Sequence, residues 1–381
     1  MLALCFLDFI GWDYDVATPA SRPLGGSQSA MCYLAVELAR LGHDITLASG
    51  TSQPGKVLGV ECLNVDSCSR QFFAERKFDA VIVLNGARRS YLRADLPAST
   101  MLVLWTQHAV DQPAMKHLSQ RDTREGWDHV VCVSDWQRRS IIKTFSVDAA
   151  RTSVMRNAIA PAFEGLFASR DSLAAAKSGP LRLAYTSTPF RGLDLLLDIF
   201  PSFRARHPDA RLEVYSSMAV YQDAAADQGT YRPLYEALKA EPGVEYVGSL
   251  PQPALAERLS RAHILSYPNT FAETSCISVM EALAAGLLVV TSDLGALRET
   301  AEGFGRLVPI NLGDPRGYVA AYKRALAGRY ALPEQAGRLY HQVSHMNQHC
   351  TWRVRARQWS ELLQRRLSAS GGRPPPVAPA S

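Results

Sequence analysis

Two glutamates, Glu273 and Glu281, lie eight positions apart in the stretch from Pro268 to Gly286. Glu273 is in a loop that follows a predicted buried strand, and Glu281 falls within a helix predicted from Cys276 to Ala285. Eight helical positions make close to two turns, so the pair could present carboxylates to one ligand from two depths. Carboxylates accept paired hydrogen bonds from vicinal hydroxyls, which makes a sugar a natural partner. For the residues taken alone, a capping acid and a surface acid are the commoner explanation.

A second candidate is the segment Pro23-Leu-Gly-Gly-Ser27, between the first predicted strand and a helix predicted over Ser27 to Leu41. Ser27 is predicted to cap this helix, and Gly42 suits its left-handed stop. Glycines let the backbone approach a ligand closely, and a helix N-terminus favours an anion such as phosphate. Gly25 and Gly26 are therefore candidate donor-binding residues. A pair of glycines before a helix is more often a simple turn, and no G-x-G-x-x-G motif is present.

The composition describes a globular chain large enough for two domains. It has 381 residues, of which 47% are apolar and 20% are charged, and neither Gly nor Pro recurs with a period. These proportions exclude disordered and fibrous chains. The net charge of +5 is compatible with an anionic ligand but small for a dedicated nucleic-acid binder, so we predict no nucleic-acid partner.

The cysteines and the hydrophobic runs indicate the cellular compartment of the protein. Seven cysteines are scattered along the chain, without a C-x-x-C pair or a histidine at metal-ligand spacing beside them. A reduced, cytoplasmic protein fits this pattern best. The apolar start of the chain lacks a basic region and a cleavage site, and no stretch approaches the roughly 18 apolar residues needed to span a bilayer. Any membrane contact would be peripheral, at the inner face.

Short apolar runs alternate with helical patterns along nearly the whole chain, which is typical of parallel sheets wound with crossover helices. A first series of predicted strands comprises Ala3–Phe9, Ile45–Ala48, Ala80–Leu84, Met101–Trp105 and Val130–Val133. A second series comprises Leu181–Tyr185, Leu212–Tyr215, Val244–Val247, Ile264–Tyr267 and Leu287–Thr291. Between them, Asn157 to Pro180 is rich in Ala, Ser, Gly and Pro and is predicted to be an interdomain linker. We predict an α/β chain of two doubly wound, Rossmann-like domains facing across a cleft.

The end of the chain is predicted to form one more helix. Apolar side chains recur there at steps of three and four, which gives one apolar face, at Trp352, Ala356, Trp359, Leu363 and Leu367. The opposite face is basic and could meet an anionic lipid surface, although a solvated face is the commoner case. The predicted domains are residues 1–165 and 166–351, followed by a helix over 352–371 and a disordered tail over 372–381.

Several motifs together resemble glycosyltransferase family 4, the retaining nucleotide-sugar transferases of GT-B fold. Glu273 and Glu281, followed by Gly295-Ala-Leu-Arg-Glu299, resemble the E-x7-E region of that family. Further motifs agree in the same order: Gly25-Gly26 with the first glycine loop, Val133-Ser134 with the "VS" strand end, Val154-Met-Arg-Asn157 with the "IPN" segment, Val247-Gly248-Ser-Leu-Pro251 with the "GxxP" turn, and Cys350-Thr-Trp352 with the "sW" before the terminal helix. The resemblance covers residues 1 to 368 and implies that the terminal helix crosses back to the first domain.

The resemblance also implies roles for individual residues. Glu281 would bind the ribose hydroxyls of the nucleotide, and Glu273 would contact hydroxyls of the transferred sugar. The backbone amides of four donor-binding residues would face the sugar and the diphosphate from a helix N-terminus, namely Thr274, Ser275, Cys276 and Ile277. His108 would reach the transferred sugar, so the implied catalytic residues are His108, Arg191 and Glu273. A lone histidine at a strand end is otherwise more often structural.

The sequence departs from the family at the diphosphate clamp, which is usually an Arg followed five positions later by Lys-Gly. Here the segment reads Tyr185-Thr-Ser-Thr-Pro-Phe-Arg191-Gly192. Arg191 takes the Lys position and can neutralise the leaving diphosphate. Thr186 stands where the Arg would be, so one positive charge is missing. Ser187, Thr188 or a residue elsewhere must compensate for it.

Three acids near the first sheet are candidates for the acceptor side. Asp13 and Asp15 form the D-x-D pattern that binds a metal in GT-A glycosyltransferases. A single-domain, metal-dependent fold would leave the second strand series unexplained, so we predict no metal and assign both acids to the acceptor side. Asp111 could touch the acceptor or simply begin the turn before Pro113.

Together these inferences predict a retaining, metal-independent glycosyltransferase with roles in polysaccharide biosynthesis. It would move a hexose from a nucleoside diphosphate sugar, its co-substrate, to a glycan, a lipid-linked glycan or a protein, with no further cofactor. The alternatives are a GT-B nucleotide-sugar epimerase or phosphorylase, and a degenerate protein that binds a nucleotide sugar without catalysis. The base, the sugar, the linkage and the oligomeric state do not follow from the sequence.

Overall fold

The computed structural model of the chain describes residues 1–328, 330 and 332–370. By its internal contacts the chain divides into two compact units. The first comprises Met1–Ala17, Ser27–Arg156 and the segment from Trp352, and the second comprises Thr18–Gly26 and Asn157–Thr351. The predicted tail over 372–381 lies outside the described residues.

The first unit is built on an eight-stranded sheet. Its strands are β1 (Ala3–Leu7), β2 (Asp44–Ser49), β3 (Gly55–Val57), β4 (Val60–Asn64), β5 (Ala80–Leu84), β6 (Met101–Trp105), β7 (His129–Cys132) and β8 (Thr152–Val154). They lie in the order β3-β4-β2-β1-β5-β6-β7-β8, and every pair is parallel except β3 with β4. β5 and β6 are buried along their whole length, as expected of central strands covered on both faces.

The second unit contains a fully parallel sheet of six strands. These are β9 (Arg182–Tyr185), β10 (Arg211–Val214), β11 (Val244–Tyr246), β12 (Ile264–Tyr267), β13 (Leu288–Ser292) and β14 (Arg306–Val308). Their order is β11-β10-β9-β12-β13-β14. The chain order reverses between β9 and β12, and such switch points are where doubly wound sheets leave a crevice for ligands. The loops that follow these two strands carry Arg191 and Glu273.

Fifteen α-helices connect the strands within the described residues. Those of the first unit are α2 (Gly26–Arg40), α3 (Arg70–Glu75), α4 (Arg121–Glu125), α5 (Asp135–Phe145) and α15 (Trp352–Ser370). The others are α1 (Thr18–Ser21), α6 (Arg170–Ala176), α7 (Leu196–Arg204), α8 (Ala224–Gln228), α9 (Arg232–Ala240), α10 (Gln252–Ser260), α11 (Ile277–Ala284), α12 (Leu297–Ala301), α13 (Pro315–Leu326) and α14 (Leu332–His349). Within the described part of the chain, no helix has the length and apolar character that a membrane crossing requires.

The terminal helix α15 packs in the first unit, as predicted. The ring of Trp359 lies 5.2 Å from that of Trp105 at the end of β6, in an edge-on arrangement. Trp352 lies 6.3 Å from Tyr33 of α2. The hydroxyl of Ser360 is 2.9 Å from a ring nitrogen of His43. The apolar face of α15 is therefore buried against the first sheet and its helices.

Two predicted elements differ from the structure. The segment predicted to be a linker, 157–180, is folded: it contains α6, whose Leu173 is buried with Leu339 and Val343 of α14. Residues 157–165 are part of the predicted first domain, but in the structure they group with the second unit, where Ile159 bridges to Thr351. Helix α2 begins at Gly26, so Ser27 lies in its first turn instead of preceding it.

Candidate functional site

The loops that follow β9 and β12 bring Arg191 and Glu273 together. The Nη1 atom of Arg191 donates to the Oε1 atom of Glu273 at 2.6 Å. The two side chains are only 20% and 5% exposed, so this is a largely buried ion pair. Burial would lower the pKa of Arg191, but the neighbouring Glu273 carboxylate holds it well above its ordinary value. The guanidinium is therefore charged at all working pH values.

Aromatic side chains surround this pair. The guanidinium of Arg191 lies 4.6 Å from the ring centre of Phe271 and 5.5 Å from that of Phe190, distances at which cation–π attraction acts. The hydroxyl of Tyr267, the last residue of β12, donates to Glu273 at 2.5 Å. Arg191 Nη2 reaches the hydroxyl of Tyr221 at 3.5 Å. These contacts fix the guanidinium in one orientation, which is what a preorganised charge needs.

Three buried polar atoms of the same loop have no hydrogen-bond partner among the described residues. They are Nε of Arg191 and the hydroxyl oxygens of Thr186 and Thr188. Ser187, between the two threonines, has its hydroxyl 3.4 Å from that of Tyr267. Buried polar groups are nearly always hydrogen-bonded, so three unpartnered ones on one short loop indicate a place for ligand oxygen atoms.

Gly192 lets this loop approach the one after β12. Its φ is +90°, and a Cβ atom there would lie 2.2 Å from the carbonyl oxygen of Pro268. Any other residue would be both strained and in collision with the neighbouring backbone. Gly295 likewise allows its backbone to approach that of Glu273 closely. Its φ is +65°, and a Cβ atom there would lie 2.4 Å from the Glu273 carbonyl oxygen. The loop that carries the carboxylate is thereby held by backbone contacts on its far side.

Glu281 lies in α11 and its side chain is fully enclosed. Burial raises the pKa of Glu281 to about 8, although a hydrogen bond with the Ala160 backbone opposes the shift. The carboxyl group is therefore mostly protonated near neutral pH. Of the four predicted donor-binding residues before it, Cys276 uses its amide on the hydroxyl of Thr300, at 3.4 Å. The predicted roles of Glu281, Thr274, Ser275, Cys276 and Ile277 stay predictions.

The glycine pair at the start of α2, Gly25 and Gly26, is grouped with the second unit. Gly25 is buried and Gly26 is exposed at the start of the helix. A Cβ atom on Gly26 would lie 3.4 Å from the side chain of Ile277, the first residue of α11. This is an ordinary van der Waals contact with the end of a flexible side chain, so an alanine would fit at position 26.

The remaining candidates lie in the first unit. His108 follows β6, and burial lowers its pKa to about 4, so its imidazole is neutral at pH 7. Its Nδ1 atom is buried without a partner among the described residues. Asp13 accepts hydrogen bonds from the amide and hydroxyl of Ser52, and Asp15 accepts one from the amide of Ala17. Asp111 is exposed. Asp13 thus joins two segments of the chain and Asp15 stabilises a local turn, and the acceptor-side roles of both stay predictions.

Sequence reasoning missed the aromatic residues that hold the ion pair. Tyr267 could have been found, because it ends the buried strand next to the glutamate loop. Phe190 is next to Arg191 in sequence and Phe271 lies two positions before Glu273, but nothing in their spacing indicates a common target. Tyr221 lies 30 positions from Arg191, and only the fold brings them together.

In the comparison with known proteins, the match to a family model falls within the second unit. Residues 182–327 match the model of the family described as glycosyl transferases group 1. This segment runs from β9 to the end of α13 and contains Arg191, Glu273 and Glu281. The chain is also similar to phosphatidyl-myo-inositol mannosyltransferase of Mycobacterium tuberculosis, with 30% identity over 128 residues. That match covers 33% of this chain and 31% of the relative, so the chain spans about a third of the length of this relative.

Solved structures resemble this chain over almost its whole length. Sucrose-phosphate synthase of Thermosynechococcus elongatus has a TM-score of 0.70 and 16% identity, covering 97% of this chain and all of the other. The Anabaena protein HepE, in complex with UDP and glucose, has a TM-score of 0.65 and 14% identity, covering 96% of this chain and all of the other. These likenesses confirm the predicted GT-B fold. Together with the family match they support a glycosyltransferase.

Proposed function

We propose that the protein transfers a hexose from a nucleoside diphosphate sugar to a glycan, lipid-linked glycan or protein acceptor. Transfer would retain the configuration at the anomeric carbon and use no catalytic metal ion. The family match over residues 182–327 supports the transferase class, and a relative that is a mannosyltransferase supports a hexose. A neighbour of the same fold that was crystallised with UDP and glucose supports the nucleotide-sugar donor.

The observation that carries the proposal is the unpartnered Nε–H of the buried Arg191, beside the unpartnered hydroxyls of Thr186 and Thr188. Phosphate oxygens are strong acceptors, and charge-assisted hydrogen bonds from a guanidinium are roughly twice as strong as neutral ones. Thr186 stands where related transferases carry a second cation. Its hydroxyl, with that of Thr188, would supply neutral donors in place of that charge.

The proposed reaction needs few groups from the protein. The bond between the anomeric carbon and the diphosphate oxygen breaks, and the acceptor oxygen bonds to the same face of the sugar. The acceptor proton passes to the leaving phosphate. Arg191 would stabilise the negative charge that grows on the diphosphate, because it is already oriented before the bond breaks. Glu273 would hold Arg191 while its second oxygen remains available to a sugar hydroxyl.

Thermal stabilisation by donors tests the binding half of the proposal. The purified protein is melted with UDP, GDP and ADP sugars and with a CMP sugar, alongside Glu281→Ala. We expect a rise in melting temperature with one base only, and a loss of that rise in Glu281→Ala. Because the Glu281 carboxyl group is mostly protonated before a donor binds, each hydrogen bond that it makes to the nucleotide contributes about 0.5–1.5 kcal/mol, so the dissociation constant should rise by about two- to tenfold for each bond lost. No shift with any donor would contradict the proposal.

The turnover of the Arg191→Ala variant tests the proposed role of Arg191 in the transfer reaction, and Arg182→Ala is its matched control. Arg182 begins β9, the strand whose other end leads to Arg191, and it pairs with Glu213 at 3.1 Å. Removing one preorganised group that stabilises developing charge costs about 10²–10³-fold in turnover, so we expect that loss in Arg191→Ala alone. Wild-type turnover in Arg191→Ala would remove this residue from the site.

The product separates this function from the alternatives. A free sugar with an altered configuration would indicate an epimerase, and a sugar phosphate formed only with added phosphate would indicate a phosphorylase. Donor binding without any turnover would indicate a degenerate binding protein, which the threonine at position 186 favours.

A further inference from the structure

Three potential metal ligands meet in the second unit, and none of them is among the predicted site residues. They are Glu302, His345 and Cys350, and their donor atoms all lie within 4.8 Å of one another. Glu302 follows α12, His345 lies on α14, and Cys350 comes directly after the end of α14. The chain thus brings a carboxylate, an imidazole and a thiol to one point from two separate elements.

The carboxylate of Glu302 lies between the other two groups. Its Oε2 atom is 2.5 Å from Nε2 of His345, and its Oε1 atom is 3.7 Å from Sγ of Cys350. Glu302 has a φ of +47°, a left-handed conformation in which glycine or asparagine is usual after a helix. A sparsely populated backbone conformation thus occurs at the residue whose carboxylate contacts both the imidazole and the thiol.

These three donors match the ligands that zinc takes in proteins. Zn²⁺ binds thiolate sulfur at ~2.3 Å, imidazole nitrogen at ~2.0 Å and carboxylate oxygen at ~2.0 Å, usually in a tetrahedral arrangement. In a tetrahedron these distances place neighbouring ligand atoms about 3.3–3.5 Å apart. The sulfur and the carboxylate, at 3.7 Å, are close to that spacing, whereas the imidazole nitrogen is 2.5 Å from the carboxylate in a hydrogen bond and would have to move outward by about 0.8 Å when the ion replaces the shared proton. A thiolate and a carboxylate also balance the two charges of the ion, so no net charge would be buried.

Access and burial suit a bound ion. Cys350 is 1% exposed, whereas the side chains of Glu302 and His345 are 22% and 30% exposed. The ion can therefore enter through the two outer ligands and reach a thiol that is shielded from water. The ring of His349 lies 4.8 Å from that of His345, so His349 or a water molecule could take the fourth position.

We propose that Glu302, His345 and Cys350 form a structural site for a divalent transition metal of the zinc class. Binding releases the thiol proton to solvent and leaves His345 with its proton on Nδ1, so that Nε2 can ligate. The ion would join the end of α12 to the end of α14, next to Thr351, which bridges to Ile159. This role goes beyond the proposed transfer reaction, which uses no metal, and its test needs no activity measurement.

Cobalt provides a direct probe of the thiolate. The untagged, full-length protein is freed of metal with a chelator and titrated with Co²⁺, which gives a sulfur-to-cobalt charge-transfer band when a thiolate binds it. We expect one equivalent of Co²⁺, displaced by one equivalent of Zn²⁺. At free Zn²⁺ 100-fold above its dissociation constant, the melting temperature should rise by about 5–10 °C. No band, or no stoichiometric binding, would overturn the proposal.

Ligand variants are compared with matched controls. Cys350→Ser should abolish the band, and His345→Ala should weaken Zn²⁺ binding by at least about 100-fold, more than the loss of an outer-shell group. Glu302→Gln keeps a ligand oxygen but loses its negative charge, so it should weaken Zn²⁺ binding by at least about tenfold, the lower limit for the loss of an outer-shell group. The controls are Cys68→Ser, a half-buried thiol in the first unit, and His341→Ala, an exposed histidine one turn before His345. Both should bind like the wild type.

Two outcomes would contradict the assignment. A band that persists in Cys350→Ser, or that disappears in Cys68→Ser, would mean that another thiol binds the metal. Circular dichroism of the metal-free variants checks that each is folded. Should Cys350→Ser fail to fold, the partly exposed His345 and Glu302 still decide the question, because full Zn²⁺ affinity in both of their variants would exclude the site.

Discussion

The ion pair between Arg191 and Glu273 makes a quantitative prediction about stability. Glu273→Gln would leave a largely buried guanidinium without its counter-charge, and breaking a buried pair in this way costs about 3–5 kcal/mol. Arg191→Met should cost less, on the order of 2–3 kcal/mol, because a stranded carboxylate can take up a proton whereas a guanidinium cannot lose one. The cost of Arg191→Met should also fall as the pH is lowered.

The double variant Arg191→Met/Glu273→Gln separates the pair from its surroundings. Once both charges are gone, no buried charge is left uncompensated, so the double variant should be more stable than Glu273→Gln and about as stable as Arg191→Met. The coupling energy from the cycle would then be about 3–5 kcal/mol, which is the cost of stranding the guanidinium. Free energies of unfolding that add to within ~0.5 kcal/mol would refute the contact as the structure has it.

The assay can follow each unit by itself. All six tryptophans belong to the first unit, at Trp12, Trp105, Trp127, Trp136, Trp352 and Trp359. Tryptophan emission therefore reports unfolding of the first unit, and far-UV circular dichroism reports both. In urea, the variants should shift the circular-dichroism transition. A circular-dichroism transition at a lower urea concentration, with no change in the tryptophan transition, would assign the loss of stability to the second unit, where both residues lie.

Two further predictions concern the same unit. The pKa of Glu281 lies at about 8, above its ordinary value, so the folded state binds the proton more tightly and stability falls as the pH rises from about 4.5 to 8. Glu281→Gln should remove this loss, on the order of 4 kcal/mol, and melting temperatures of both proteins between pH 5 and 8.5 should converge at the acid end; parallel curves would contradict the shift. Gly192→Ala should lower the melting temperature and donor affinity, because its Cβ atom would meet the carbonyl of Pro268 at 2.2 Å. Gly248→Ala is the matched control, with a φ of +81° and nothing within 4 Å, and should cost only about 1 kcal/mol; equal losses in the two variants would show that backbone strain alone is responsible.

The fold was predictable because its central strands are buried on both faces. The predicted limits of β5, β6 and β12 agree with the structure, since each is an apolar run bounded by polar residues. Four strands were missed: β3, β4, β8 and β14. Three of these have only three residues, and none carries a continuous apolar run. Helix α6 was missed because its alanines and serines lack an apolar stripe, and it gains stability from packing on α14.

The site was predictable as a set of residues but not as an arrangement. Arg191 and Glu273 were chosen separately, and their pairing over 82 positions depends on β9 lying beside β12, which no local pattern encodes. The metal cluster was missed for a related reason. On a continuous helix, side chains five positions apart diverge by about 140°. His345 and Cys350 converge because α14 ends at His349, and Glu302 comes from a distant element.

The ion pair between Arg191 and Glu273 affects how the site could bind a diphosphate without a second cation at position 186. A clamp with two free cations would offset most of the charge of a departing diphosphate by itself. Here Arg191 is already paired with Glu273, so the two side chains together carry no net charge before a donor binds. In the proposed reaction, stabilisation would then come from hydrogen-bond donors that are already oriented, namely the charged Nε–H of Arg191, the hydroxyls of Thr186 and Thr188 and the amides that open α11. Such hydrogen bonds act only at short range. The close approach of the two loops at Gly192 is therefore as necessary to the proposed chemistry as the guanidinium itself.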